Sequence, residues 1–158
     1  MIPIQDLFES HLTVTNLDRS MHFFGRVLGL ERAFFMPDRR VAFYWIGQSR
    51  ASMVGIWETE DRPLRINLHL AFAVALGHLL EAPDKLKAAG ITPLDFWGAP
   101  SDEPVVIGWM PAAAVYFRDP DGNLLEFLST LSDAPAPEAG IVTWSRWLEN
   151  RQKAGADN

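Results

Sequence analysis

Hydrophobic and polar residues alternate over residues 9–15, which predicts a β-strand. Leu12 and Val14 share one face of this strand, whereas His11 and Thr13 share the other. The apolar face can pack on a helix that follows in the chain. His11 is therefore expected on the opposite face of the sheet.

Further along the chain, the spacing of apolar residues separates helices from strands. Apolar residues three and four positions apart indicate helices, and β-branched or aromatic runs indicate strands. Residues 58–65 are interpreted as a connector, and residues 97–111, rich in proline and glycine, as a loop long enough to be a lid. The predicted elements are a strand at 9–15, a helix at 18–28, strands at 41–46, 51–57 and 67–74, a helix at 83–89, strands at 112–118 and 123–128, and a helix at 142–153.

The sequence repeats one order of elements. His11 lies in a strand that is followed by a helix and a Gly-Leu pair, and His69 lies in a strand that is followed by a helix and a Gly-Ile pair. A repeat of this length indicates two copies of one supersecondary unit. We therefore expect an α+β protein built from two βαβββ modules.

Chain length and the repeat together predict the domain organisation. The 158 residues are enough for one ordinary domain and too few for two. Residues 1–131 are predicted to form a single domain of two repeats, at about 8–58 and 66–131. Residues 132–158 are predicted to be a linker and a C-terminal helix, which packs on the body or on a second subunit.

Composition narrows the classes of function. The net charge is −6 and there is no block of basic residues, which argues against a nucleic-acid surface. The absence of cysteine excludes disulfides, thiolate metal sites and cysteine nucleophiles. The sequence has no run of about 18 apolar residues and no basic amphipathic helix, so a membrane role is not expected. A cytoplasmic protein with a small-molecule partner is the expectation.

Three side chains are candidate metal ligands. His11 and His69 hold the same place in the two repeats, each on the strand face opposite the more apolar row. Glu126 lies between Leu125 and Phe127, where a buried carboxylate needs a partner or a metal. Two imidazoles and one carboxylate form the facial triad that binds Fe(II) and similar ions. The alternative for each histidine alone is a hydrogen-bonded structural or surface residue.

Four segments carry motifs of one known family: HLTV at 11–14, FFGRVLGL at 23–30, HLAF at 69–72 and YFRDPDGNLLE at 116–126. They resemble the vicinal oxygen chelate superfamily, which includes glyoxalase I, bleomycin-resistance proteins, fosfomycin-resistance enzymes and extradiol dioxygenases. The resemblance covers about residues 8–130, and the turn at 119–123 is its most specific part. It implies a curved mixed sheet around a cleft, in which His11, His69 and Glu126 hold one divalent metal ion (Fe, Mn, Ni or Zn). It also implies that this metal chelates two neighbouring substrate oxygens and that the protein forms a homodimer.

Comparison with individual branches of this superfamily narrows the activity. Glyoxalase I has a fourth metal ligand on the strand at 53–57, but the repeat places Gly55 opposite Glu126, so this ligand is missing. The loop at 97–111 has no Lys or Arg, so the basic clamp that holds a phosphonate in fosfomycin-resistance enzymes is missing too. Extradiol dioxygenases share the two His and one Glu, together with a tyrosine at the position of Tyr116.

The expected function is that of a metal-dependent enzyme, of the dioxygenase or lyase/isomerase type. Its substrate is expected to be small and moderately apolar, with two adjacent oxygens. Tyr116 is the candidate catalytic residue, since its phenol could donate to a developing oxyanion, and Thr13, Trp45 and Trp57 are candidate substrate-binding residues. The alternatives are a metal-free drug-binding protein of the bleomycin-resistance type and a remnant site that binds metal without turnover.

Overall fold

A computed structural model of the chain describes residues 8–47, 52–59 and 68–156, with the backbone alone for 154–156. The chain divides into two compact units, each built around one mixed β-sheet. The first unit comprises Met1–Leu68 with Asp119–Asn123, and the second comprises His69–Arg118 with Leu124–Asn158. The predicted α+β class with two βαβββ repeats is confirmed.

The first unit has a four-stranded sheet in the order β1-β4-β3-β2. Strands β1 and β4 are parallel, and the other neighbouring pairs are antiparallel. Its elements are β1 (Glu9–Val14), α1 (Leu17–His22), β2 (Arg32–Met36), β3 (Val41–Ile46) and β4 (Ser52–Glu58). The prediction missed β2, because its run of five residues has neither a clear alternation nor turn residues on both sides.

Local sequence explains how the first helix begins and ends. The side chain of Asn16 caps α1 by accepting a hydrogen bond from the backbone N–H of Arg19, at 2.9 Å. After His22 the backbone continues as a π-helical turn over Phe23–Val27. Gly29 follows with φ of +69°, a conformation that glycine adopts without steric cost. The predicted helix at 18–28 is therefore an α-helix followed by a wider turn.

The second unit has a five-stranded sheet in the order β5-β8-β7-β6-β9. Strands β5 and β8 are parallel, and the other neighbours are antiparallel. Its elements are β5 (His69–Ala73), α2 (Leu76–Ala88), β6 (Val105–Ile107), β7 (Ala112–Arg118), β8 (Leu124–Thr130), β9 (Ile141–Thr143) and α3 (Trp144–Ala156).

Three predictions for the second unit are corrected by the structure. Helix α2 begins at Leu76, and Pro83 lies inside it rather than in its first turn. The segment at 97–111 is not one continuous loop, because Val105–Ile107 forms the fully buried strand β6. The C-terminal segment contributes strand β9 next to β6, as well as the predicted helix. Strands of three residues are too short for periodicity to detect.

Each unit has its own apolar core. The alternation predicted for β1 is confirmed, since Leu12 and Val14 are buried whereas His11 is exposed. Leu70 and Phe72 of β5 likewise form the more buried row, with His69 on the other face. Fully buried residues include Leu12, Val14, Leu17, Phe24, Val41, Tyr44, Val54 and Ile56 in the first unit, and Leu79, Val106, Phe117 and Leu125 in the second.

Parts of two predicted connections fall outside the described residues. These are most of the turn between β3 and β4 and residues 60–65 of the predicted connector. Among the residues that the structure describes, no helix is long and apolar enough to cross a bilayer.

Candidate functional site

Two predicted ligands, His69 and Glu126, meet in the second unit. His69 begins β5, and Glu126 lies in the parallel strand β8, where it pairs with Ala71. Nε2 of His69 lies 3.0 Å from Oε2 of Glu126, which is a hydrogen-bond distance. The imidazole is partly exposed and the carboxylate is almost fully buried. The pair therefore joins a partly exposed imidazole to a buried carboxylate.

The environment of Glu126 is unusual for a carboxylate. The residue is 4% exposed, and its Oε1 is buried with no hydrogen-bond partner among the described residues. Burial raises the pKa of Glu126, whereas His69 and Tyr116 act to lower it, and the net pKa is above the usual value. A buried carboxylate oxygen without a donor costs free energy that a bound cation would recover.

Tyr116 completes the polar group in the second unit. It is the register partner of Glu126 in the antiparallel β7–β8 ladder, and it is 5% exposed. Its ring centroid lies 6.2 Å from that of His69. Burial and the adjacent Glu126 carboxylate raise the pKa of the Tyr116 phenol well above its usual value. Tyr116 therefore keeps its proton across the neutral pH range.

His11, the third predicted ligand, belongs to the first unit. Its Nδ1 accepts a hydrogen bond from the indole Nε1–H of Trp57, and its Nε2 lies 3.3 Å from Oε1 of Glu9. Its ring also contacts Phe43 edge-on, at 5.9 Å between centroids. Because the indole can only donate, Nδ1 of His11 must be unprotonated in this contact. Both ring nitrogens of His11 thus have partners within its own unit.

The pairing register corrects the predicted alignment of the two repeats. Thr13 pairs with Trp57 in the first unit, and Ala71 pairs with Glu126 in the second. Thr13 and Ala71 each follow the repeated histidine by two residues, so Trp57 rather than Gly55 is the counterpart of Glu126. Alternation could not distinguish these positions, because a shift of two residues keeps every side chain on the same face.

The predicted substrate-binding residues lie in the first unit. Trp57 donates a hydrogen bond to His11 and also contacts Arg39, whose guanidinium carbon lies 4.7 Å from the centre of the indole ring. Thr13 is half-buried, and its carbonyl accepts a hydrogen bond of 3.4 Å from the side chain of Asn123. Trp45 pairs with Met53, two positions from the Phe43–Gly55 pair, and so lies on the His11 side of the sheet.

Sequence reasoning missed three residues around these groups: Glu9, Phe43 and Phe96. Phe43 could have been found by alternation, since it precedes Trp45 by two residues on the same strand. Glu9 shares a face with His11 by the same rule. Phe96 contacts the ring of Tyr116, at 6.0 Å between centroids, through a loop that no periodicity identifies.

Within the described residues, no three or more His, Asp or Glu side chains lie close enough together to hold a metal ion. The predicted site residues that do lie together are His69 and Glu126, with Tyr116 beside them.

Comparison with known proteins decides the family. The sequence profile of the Glyoxalase/Bleomycin resistance protein/Dioxygenase superfamily matches residues 6–127. The chain belongs to this superfamily. Strand β9 and helix α3 lie outside the matched range.

Solved structures of other proteins resemble the chain over most of its length. An integron cassette protein from the mobile metagenome of the Halifax Harbour sewage outfall is 31% identical, with a TM-score of 0.69, covering 80% of this chain and 99% of its own. Lactoylglutathione lyase from Agrobacterium tumefaciens is 22% identical, with a TM-score of 0.60, covering 81% and 96%. The oxidase ChaP-H2 is 20% identical, with a TM-score of 0.64, covering 85% and 100%. The last two similarities show the shared fold alone.

Proposed function

We propose that the protein is a metal-dependent enzyme of the dioxygenase or lyase/isomerase type, which binds a small, moderately apolar substrate through two adjacent oxygens. His69 and Glu126 are the proposed central ligands of one divalent ion, and His11 is the proposed third ligand. Tyr116 is the proposed catalytic residue. The oxygen and nitrogen donors suit Fe, Mn, Ni or Zn.

The observation that supports this proposal most directly is the buried carboxylate of Glu126. One of its oxygens meets an imidazole, and the other has no partner among the described residues. Natural proteins seldom leave a buried carboxylate oxygen unpaired, and such an exception is often explained by an ion or by catalysis. The imidazole of His69 and the carboxylate of Glu126 could thus supply two of the coordinating atoms that a divalent ion requires.

A bound metal would supply Lewis-acid polarisation of the two substrate oxygens. Tyr116 keeps its proton on the phenol oxygen, because burial and Glu126 raise its pKa. The phenol can therefore donate a hydrogen bond to a substrate oxygen on which negative charge develops. Replacing Tyr116 by Phe should leave the metal content unchanged and lower turnover about 100-fold, in a screen of catechols and α-hydroxyketones.

Ligation by His11 would require both of its ring nitrogens to exchange partners. His11 would hold the metal through Nε2 in place of its contact with Glu9, and its Nδ1–H would need an acceptor in place of the indole of Trp57. Thr13, Trp45 and Trp57 are proposed to contact the substrate on this side.

The second candidate function is metal-free binding of a small molecule, as in the bleomycin-resistance type. The contacts of His11 favour it, since both ring nitrogens are already occupied by Trp57 and Glu9. A histidine held in this way shapes a binding surface without ligating a metal.

Metal analysis separates the two candidates. Wild-type protein and the His69→Ala variant are incubated with Mn(II) and dialysed, and bound metal is measured by mass spectrometry. We expect about one equivalent in the wild type and a trace in the variant. His78→Ala, which removes an exposed histidine of α2, is the matched control and should bind as the wild type does. Equal trace metal in all three proteins would reject the enzyme proposal and favour metal-free binding.

A cytoplasmic homodimer is also part of the proposal, on the basis of the superfamily resemblance. Sedimentation velocity at micromolar concentration measures the assembly state directly. A single monomeric species with and without Mn(II) would contradict this part alone.

A further inference from the structure

An aromatic pair at the surface of the second unit leads toward the His69–Glu126 pair. We infer that Phe96 and Trp97 form a platform that selects ligands with a flat, uncharged ring. This inference adds a substrate class to the proposed function, and it depends on that function for the position of the ligand's oxygens.

The platform is the outer end of a continuous series of ring contacts. Trp97 meets Phe96 edge-on with 5.7 Å between ring centroids, and Phe96 meets Tyr116 edge-on at 6.0 Å. Tyr116 in turn meets the imidazole of His69 at 6.2 Å. Edge-to-face contacts at these distances are attractive. A ring that binds on Phe96 is therefore one aromatic residue away from the proposed metal ligands.

The two outer rings are exposed, although hydrogen bonds fix the backbone of the loop that carries them. Phe96 is 47% and Trp97 is 69% exposed. Leu94 exchanges two backbone hydrogen bonds with Tyr116, at 2.7 and 3.1 Å. The carboxylate of Asp95 accepts from the backbone N–H groups of Trp97 and Ala99, at 2.9 and 2.8 Å.

This bonding fixes the backbone that carries both rings. Little conformational entropy is lost when a ligand binds to groups that are already ordered, so exposed rings on a fixed backbone suit a binding role. An aromatic side chain adds to this advantage because it has only two rotatable bonds.

Charge around the platform determines the kind of ring. Residues 90–111 contain no Lys or Arg, and their three charged residues are acidic. An anionic ring would therefore find no counter-charge in this segment, and Lys87 is already paired with Asp102 at 2.8 Å. An uncharged aromatic or conjugated ring can stack on Trp97 and needs no counter-charge there.

Two probes with the same chelating group isolate the contribution of the ring. Hydroxyacetone and α-hydroxyacetophenone both carry an α-hydroxyketone, and only the second has a phenyl ring. Their dissociation constants are measured by calorimetry with the full chain loaded with Mn(II), for the wild type and for Phe96→Leu, Trp97→Leu and Trp109→Leu. Trp109 is 63% exposed but has no place in the ring series, so its variant is the matched control.

We expect the wild type to bind the phenyl compound about tenfold more tightly than hydroxyacetone, which is the usual scale of one stacking contact. The preference should fall below about threefold in Phe96→Leu and Trp97→Leu and persist in Trp109→Leu. Trp97→Tyr should restore it. Hydroxyacetone affinity and Mn(II) content should be the same in all variants.

Other results overturn the inference or the proposed function separately. Equal affinities in a wild type that holds Mn(II) would reject the platform and leave the metal site in place. A preference that persists in both platform variants, or a change of oligomeric state in Trp97→Leu, would also reject the platform. Binding of the phenyl compound to protein that holds no Mn(II), lost in Trp97→Leu, would reject the metal-dependent function and keep the platform.

Discussion

Trp57 holds in the first unit the register position that Glu126 holds in the second, and each contacts the histidine of its own repeat. The contacts differ in chemistry, because the indole of Trp57 donates to His11 whereas the carboxylate of Glu126 can accept from His69 or bind a cation. An indole nitrogen that carries a proton does not ligate a metal. The two repeats thus share a geometry, but only the second has a carboxylate at this position, which could coordinate a metal ion.

One carboxylate oxygen of Glu126 is buried and has no partner among the described residues, which predicts that the residue lowers stability when no metal is bound. Glu126→Gln removes a buried charge, so we expect the metal-free variant to gain about 1 kcal/mol in free energy of unfolding. The wild type should in turn be stabilised by excess Mn(II), by about 2.7 kcal/mol at a hundred times the dissociation constant, and the variant should not. Urea denaturation with EDTA or with Mn(II) measures both effects. Exposed Glu149→Gln is the control, and Mn(II) stabilisation that survives in Glu126→Gln would contradict the prediction.

Asp121 predicts how stability depends on pH. Its carboxylate accepts hydrogen bonds from the backbone and hydroxyl of Thr15, from Arg19 at 2.9 Å and from Ser20 at 3.3 Å. Burial by itself would raise the pKa of Asp121, but the bonds from Thr15 and Arg19 outweigh it, and the net pKa is lowered. The stabilisation is therefore complete above the unfolded-state pKa of about 3.9 and is lost as the pH falls toward the folded-state pKa.

We expect Asp121→Asn to lower the free energy of unfolding by about 1–3 kcal/mol at neutral pH. The difference from the wild type should shrink as the pH is lowered below 4, as followed by urea denaturation at several pH values. Asp38→Asn changes an exposed carboxylate of the same unit and serves as the control. A difference that is independent of pH would show that the ionised form of Asp121 is not the stabilising one.

Gly55 is required by the close approach of the His11 ring. A Cβ atom at this position would lie 2.5 Å from Nδ1 and 2.7 Å from Cε1 of His11, and 3.2 Å from Phe43. Gly55→Ala should therefore cost about 1–3 kcal/mol through overpacking and displace the imidazole from Trp57. Gly77→Ala is the matched control, since nothing lies within 4 Å of its Cβ and alanine favours the helix. Thermal denaturation and the histidine resonances in NMR test this, and equal stability of the two variants would contradict it.

Trp147 attaches helix α3 to the second unit. It is buried within the single chain, whereas its neighbour Leu148 is exposed. Trp147→Ala should cost about 3–5 kcal/mol, as is usual for removing a buried aromatic ring. Leu148→Ala should change the free energy of unfolding by less than about 1 kcal/mol. A small effect of Trp147→Ala in urea denaturation would indicate that α3 is not part of the cooperative unit.

The sequence was most informative where periodicity and short-range chemistry coincide. The alternation around His11 involves neighbours within a few residues, and it is confirmed. Strands β6 and β9 were missed because each has three residues, and β9 pairs with a strand that is distant in the chain. Helix α2 was predicted too short because Pro83, which usually marks a first turn, lies in its interior.

By itself the sequence determined the family, the two repeats and the face of each strand that carries a histidine, since these depend on residue order and on the two-residue period of a strand. Tertiary structure alone decided which side chains meet. It paired His69 with Glu126, placed Trp57 against His11, and brought Phe96 into contact with Tyr116. The reason is that register and loop conformation depend on contacts between distant residues, which alternation within one strand does not encode.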